Sequence, residues 1–214
     1  KTFRKYDPEA IMHFAAHCRV GESVRNPAKY YKNNVVKGLT LLEAAKNFGI
    51  DKFIFSSSAA VYGNPEKVPI KETAPKNPEN PYGQTKLAFE RILEDYAKAY
   101  PISACSLRYF NAAGTDPEGE LGEIHDPETH LIPVVLEAAA GQRDYIEIFG
   151  TDYDTPDGTA IRDFIHVNDL ATAHISALEI LEQKSKNYLA YNLGTGRGHS
   201  EKEVNETCKE VTEI

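Results

Sequence analysis

Apolar residues recur along this chain in two rhythms that take turns. The first is the short unbroken run. Residues 11–15, 52–56, 102–109, 145–149 and 190–193 are rich in branched, aromatic and small side chains and predict buried parallel strands. The second has helical spacing. Val35, Leu39, Leu42 and Ala45 share one face of a helix predicted over residues 34–47, with Gly49 as its stop. The same spacing predicts helices over 82–100, ended by Pro101, over 131–140, over 169–183 with Asp169 at the cap or in the first turn, and from Glu201 onward. Two long loops interrupt the pattern: residues 64–81, with five prolines, and residues 111–129, rich in Gly, Pro and acids.

Strands that alternate with helices define an α/β fold, a Rossmann-like parallel sheet with helices on both faces. Ligands of such sheets sit beyond the carboxyl ends of the strands. Here those ends are Ala15-Ala16, Ser56-Ser57-Ser58 and Tyr109-Phe110-Asn111. Two regions are expected. Residues 1–111 form the remainder of a nucleotide-binding domain, and residues 112–214 form a mixed substrate-binding region with returning sheet elements.

Composition narrows the function classes. The 214 residues are 41% hydrophobic and 26% charged, ordinary values for a globular chain. A formal net charge of −8 argues against a nucleic-acid surface. No apolar run approaches the span of a bilayer, so no membrane is expected. Cys18, Cys105 and Cys208 are scattered and read as reduced thiols of a cytoplasmic protein. The seven histidines show no metal-ligand spacing, and no metal is expected. The first residues include no initiator Met, and the last stop within an amphipathic pattern, so the chain is expected to be a fragment cut at both ends.

The chemistry-bearing pattern is Ser58 followed by Tyr82-Gly-Gln-Thr-Lys86. With 12 tyrosines in the chain, chance supplies about one Tyr-x-x-x-Lys pair, and one is present. By spacing alone it describes an exposed helix face as well as a site. Position adds weight. Residues four apart share a helix face. A cation about 5 Å from a phenol, at an effective dielectric near 20, is worth on the order of 3 kcal/mol, or roughly two pKa units. Lys86 is therefore expected to lower the pKa of Tyr82 and make it a general base, with Ser58 holding the hydroxyl that loses its proton.

The chain resembles the extended short-chain dehydrogenase/reductases, the family of NAD-dependent epimerases and dehydratases. The resemblance runs nearly end to end. It rests on His13-Phe-Ala-Ala16, Tyr30-Tyr-Lys-Asn-Asn34, Phe53-Ile-Phe-Ser-Ser-Ser58, Val61-Tyr-Gly63, Pro81-Tyr-Gly-Gln-Thr-Lys86, Leu107-Arg-Tyr-Phe-Asn111, Thr129-His-Leu-Ile-Pro133 and Tyr191-Asn-Leu-Gly194. Asp157-Gly-Thr-Ala-Ile-Arg-Asp-Phe-Ile-His-Val167 points to the epimerase branch, as does Ala59, where dehydratases carry an acid.

The resemblance implies that Ser58, Tyr82 and Lys86 are catalytic and that NAD is a bound cofactor. Phe14, Ala15, Ala16, His17, Cys18, Asn33 and Phe110 would line the NAD site with the catalytic three, although Cys18 stands where some relatives carry Lys. Asn111, His130, Leu131, Glu147, Ile148, Phe149 and Arg162 would hold a UDP-sugar with Ser58 and Tyr82. The implied reaction is interconversion of UDP-glucose and UDP-galactose by transient oxidation at C4. The alternatives are another UDP-sugar, an N-acetylhexosamine or a pentose, and a non-catalytic fragment. Family members carry a Gly-rich phosphate turn that would precede Lys1. The chain alone is therefore expected to bind NAD weakly. The outer faces of helices 34–47 and 82–100 would pair with a second subunit in a homodimer.

Overall fold

The computed structural model describes residues 2–183 and 187–213. Along the chain these form α1 (Thr2–Tyr6), β1 (Ala10–His13), α2 (Val20–Arg25) and α3 (Pro27–Tyr30). The last runs through a π-helical segment, Tyr31–Lys37, into α4 (Gly38–Asn47). Then come β2 (Lys52–Ser58), a 3₁₀ turn (Ala59–Val61), α5 (Pro81–Ala99), β3 (Ser103–Tyr109) and β4 (Asn111–Ala113). The chain continues with α6 (Leu131–Ala139), β5 (Ile161–His166), α7 (Val167–Gln183), β6 (Tyr188–Leu193), β7 (Gly198–Ser200) and α8 (Glu201–Thr212). They fall into two compact units, Lys1–Tyr109 with Ala171–Leu193, and Phe110–Leu170 with Gly194–Ile214.

The first unit is built on a parallel four-stranded sheet in the order β1-β2-β3-β6. Alternation along β2 sends its side chains to two different layers. Phe53 and Phe55 pack with Leu42 of α4 and with Phe89 and Leu93 of α5. Ile54 packs on the other face with Cys105, Leu107, Ala177 and Leu181. The expected α/β architecture is therefore present, with helices on both faces. Gly38 is buried, and a Cβ there would lie 2.8 Å from the Phe89 ring, so glycine lets α4 pack close to α5.

The second unit holds a smaller sheet, β4-β5-β7, in which β4 and β5 are parallel and β5 and β7 antiparallel. Helices α6 and α8 pack together beside it.

Two expectations need correction, and strand β5 was not foreseen. Residues 145–149 are not a strand but irregular chain, and Tyr145 and Phe149 are exposed. An apolar run makes a buried strand only when a neighbour pairs with it, and none does here. The helix expected at Asn34 starts at Pro27, capped by the Asn26 side chain, which accepts a hydrogen bond from the Lys29 amide at 3.3 Å. Strand β5 lies within the Asp157–Val167 motif, whose mixed charged and apolar residues carried no apolar run to announce it.

Candidate active site

The three serines that end β2 divide their work because successive side chains of a strand face opposite ways. The Ser56 carbonyl accepts a hydrogen bond from Lys86 Nζ at 2.5 Å. The Ser57 hydroxyl is buried and donates to Glu90 at 2.5 Å. The Ser58 hydroxyl accepts from the Ala60 amide at 3.1 Å and lies near enough to the Tyr82 phenol to favour its ionised form. Ser58 also pairs in register with Tyr109, so it stands at the carboxyl edge of the sheet.

Tyr82 is delivered by the first turn of α5. Asn80 caps that helix, accepting from the Gly83 amide at 2.9 Å, and Pro81 occupies the first turn, where its missing N–H costs nothing. The Tyr82 amide donates to Ser23 Oγ at 3.2 Å. Gly83 lets the helix start press on the 3₁₀ turn, since a Cβ there would sit 2.5 Å from the Ala60 carbonyl oxygen. One turn on, Lys86 is only 3% exposed, with its ammonium 4.9 Å from the Phe55 ring and 5.7 Å from the Tyr82 ring. The constellation read from Ser58, Tyr82 and Lys86 is thus assembled.

Its electrostatics differ from the expectation. Burial pushes the Tyr82 phenol above its usual range. The nearby Ser58 hydroxyl pulls it back only in part, and a thiolate at Cys18 would push it further up. Burial also depresses Lys86, to about 8, despite the anionic character that Cys18 and Glu90 contribute nearby. Lys86 is not what sets the acidity of Tyr82 here, and the predicted lowering is absent. Desolvation penalises both charged forms, and the ammonium is drawn toward the Ser56 carbonyl.

The segment after β1 is pinned by Asn34, which sequence reasoning passed over in favour of Asn33. The Asn34 side chain accepts from the His17 amide at 2.9 Å, donates to the His17 carbonyl at 3.0 Å and donates to Thr85 Oγ1 at 3.2 Å. It ties His17 and Cys18 to the helix of Tyr82 and Lys86. Asn33, on the π-helical segment, donates to the Asn34 side chain and accepts from Lys37. A π segment in a helix is often a functional mark, and a buried Asn beside a helical run was the available signal. Phe14 is exposed and stacks on His174, with ring centroids 4.7 Å apart, while Ala15 and Ala16 follow it at the end of β1.

A second feature escaped the sequence. Arg108 on β3 is 3% exposed and makes a two-pronged ion pair with Glu90 of α5, Nε to Oε1 at 2.9 Å and Nη2 to Oε2 at 2.7 Å. Its Nη1 donates to the Tyr62 hydroxyl at 2.7 Å. This network fixes α5 to the sheet one turn beyond Lys86.

The remaining candidates lie on the second unit. Phe110 precedes β4, and Asn111 in β4 donates to the Asp163 carbonyl at 3.0 Å. Arg162 in β5 is exposed, and its guanidinium donates to the Ile161 carbonyl. Among the described residues it makes no ion pair with Asp163. Neighbouring strand residues face opposite sides, and the Asp163 carboxylate accepts instead from Thr195 and Gly196. His130 is the residue before α6 and Leu131 its first residue. Glu147, Ile148 and Phe149 are exposed irregular chain. Two of the histidines without metal spacing come together in space. His125 and His130 meet Glu123 and Glu128 within one loop. Burial alone would push the Glu128 carboxyl up, but the amides of His130 and Thr129 hold it below the usual carboxylate range.

A parallel sheet with a Ser, a Tyr and a Lys brought together at its carboxyl edge defines a Rossmann-like α/β protein with a candidate site where ligands of such sheets sit. The chain belongs to the NAD dependent epimerase/dehydratase family, whose model matches residues 1–194. It is 50% identical over 210 residues to a UDP-glucose 4-epimerase of Halalkalibacterium halodurans, covering 98% of this chain and 63% of that protein. The crystal structure of the UDP-glucose 4-epimerase from Brucella ovis in complex with NAD superimposes with a TM-score of 0.94 at 55% identity, over 98% of this chain and 64% of that one. The UDP-Glc/GlcNAc 4-epimerase of Campylobacter jejuni gives 0.81 at 46% identity, over 100% and 64%. The chain therefore spans just under two thirds of the length of these relatives. No helix among the described residues is long and apolar enough to cross a membrane.

Proposed function

We propose that this chain carries the proton-transfer site of a UDP-glucose 4-epimerase, which interconverts UDP-glucose and UDP-galactose with bound NAD. The observation that carries the proposal is the Ser58–Tyr82–Lys86 arrangement at the end of β2, in a chain about half identical to proteins of that name. The cofactor fits the donor set. Among the described residues the Lys86 ammonium makes one side-chain hydrogen bond, to Ser56, which leaves donors for ribose hydroxyls. Phe14 to Cys18 and Asn33 line the end of β1 where a dinucleotide is held in such folds. When bound, NAD supplies the hydride acceptor and a positively charged ring.

The chain's own residues handle the proton. Ser58 holds the sugar O4 hydroxyl and Tyr82 takes its proton as a general base, returning it when the sugar is reduced on its other face. Positive charge on the bound cofactor would offset the burial that disfavours the phenolate. Asn111, His130, Leu131, residues 147–149 and Arg162 on the second unit are the proposed UDP-sugar contacts. Phe110 joins the cofactor set. Arg162, with no carboxylate partner among the described residues, presents its donor fork to the diphosphate.

One observation favours a broader substrate range. The Campylobacter jejuni neighbour, 46% identical, is a UDP-Glc/GlcNAc 4-epimerase. The test is turnover of UDP-galactose against UDP-N-acetylgalactosamine in the protein that carries this chain, with NAD content measured after purification. Conversion of UDP-galactose with Tyr82→Phe reduced about 10²–10⁴-fold, and UDP-sugar binding retained, supports the proposal. Near-normal turnover in that variant removes Tyr82 from the role. A cytoplasmic homodimer is part of the same proposal, supported by three free cysteines and by the exposed Val20, Val24, Tyr31 and Val36 of the α2–α4 region.

A further inference from the structure

The loop before α6 gathers two imidazoles and two carboxylates outside the proton-transfer step; one of them, His130, is also a proposed UDP-sugar contact, and only its Nδ1 faces the cluster. One ligand atom from each of Glu123, His125, Glu128 and His130 lies within 4.8 Å of every other. Four nitrogen–oxygen separations draw the groups together, reaching both oxygens of Glu128; three are near the spacing of ligands on one ion and one is a hydrogen-bond length. His125 Nδ1 is 3.1 Å from Glu123 Oε1 and 3.5 Å from Glu128 Oε2. His130 Nδ1 is 2.6 Å from Glu123 Oε1 and 3.3 Å from Glu128 Oε1. Ligands at 2.0–2.2 Å on a tetrahedral ion are about 3.3 Å apart.

The arrangement is over-supplied with acceptors. Each Nδ1 faces two carboxylates, yet an imidazole nitrogen carries at most one proton and directs it to one of them. A divalent cation at the centre meets all four groups, and its charge balances two carboxylates and two neutral imidazoles. The support is also in place: the Glu128 side chain is only 5% exposed, and its Oε1 accepts from the Thr129 and His130 amides at 2.6 and 2.8 Å. Fixed second-sphere contacts of this kind orient a ligand before the metal arrives.

We infer that Glu123, His125, Glu128 and His130 form a binding site for a divalent transition-metal ion of the Zn²⁺ class, which staples the loop to the start of α6. Nitrogen and carboxylate donors with no thiolate suit zinc or cobalt better than calcium or magnesium. The ion is structural: all four positions come from the chain, and it fixes the His130–Leu131 junction.

The test is zinc titration of chelator-stripped full chain by calorimetry, repeated with a His125→Asn/Glu123→Gln double variant whose melting curve confirms folding. Both positions are exposed enough to change without disturbing a core. One Zn²⁺ per chain, weakened about 10–100-fold in the variant, is expected. Cobalt loading should give visible d–d bands with no thiolate charge-transfer band. Zinc uptake equal in the two proteins, no uptake in either, or a thiolate band pointing to Cys18 or Cys208 each overturns the site.

Discussion

Lys86→Met should make the cofactor-free chain more stable at neutral pH, not less. Burial takes the lysine from 10.5 to about 8, a drop of about 2.5 units. At 1.36 kcal/mol per unit, the folded state at pH 7 is charged a penalty of about 3 kcal/mol for keeping an ammonium at 3% exposure. Methionine removes that charge and lays an apolar chain against Phe55, whose ring is 4.9 Å from the present ammonium. Against this stands the hydrogen bond to the Ser56 carbonyl, worth about 1 kcal/mol. The net expectation is a gain of about 2 kcal/mol at pH 7. The sign of its pH dependence follows from linkage. Between pH 8 and 10.5 the unfolded lysine holds its proton and the folded one does not, so wild-type stability rises with pH through that window. The advantage of the variant should shrink over the same interval and vanish or reverse above it. Urea unfolding of both proteins at pH 7 and pH 10 measures it, and their difference cancels every group they share. A variant that is less stable at pH 7, or a difference that is flat with pH, refutes the reasoning. A lysine kept against stability fits the ligand-binding role proposed for it.

Three further outcomes follow from the same geometry. Gly83→Ala forces a Cβ against the Ala60 carbonyl and shifts the start of α5, so turnover should fall about 10²-fold through misplacement of Tyr82 against Ser58, while far-UV circular dichroism stays unchanged. Glu90→Gln strips the Arg108 guanidinium of its buried counter-charge, and denaturant titration should show a loss of about 3–5 kcal/mol. Asn34→Ala removes both hydrogen bonds to the His17 backbone. It should raise the dissociation constant for NAD by about tenfold, roughly 1.4 kcal/mol, with little change in the activity remaining at saturation.

Much of the first unit is legible along the chain because local patterns carry it. The runs at Lys52–Ser58 and Ser103–Tyr109 have apolar residues on both faces, as a strand covered by helices on each side must. The 3.6-residue spacing and the Asn80-Pro81 start announce α5 before any contact is known. The run at 145–149 shows the limit of that logic, since a strand needs an edge to join and pattern does not reveal whether one is near. The Asp157–Val167 stretch shows the converse. Its strand is stabilised by β4 and β7 on either side, not by its own apolar content.

By itself the sequence determined the alternation of strands and helices, the pairing of Tyr82 with Lys86 on one helix face, and the family to which these motifs belong. Each depends on residues close together in the chain, where periodicity and capping act. Only the tertiary structure decided which of three adjacent serines meets the tyrosine, because that depends on the phase of the pleat at the end of β2. It also decided the direction in which Tyr82 and Lys86 are shifted, because desolvation is a property of everything packed around a group and not of its neighbour four residues on. The meeting of His125 and His130 with Glu123 and Glu128 was decided in the same way, by the path of a loop that no periodic pattern describes.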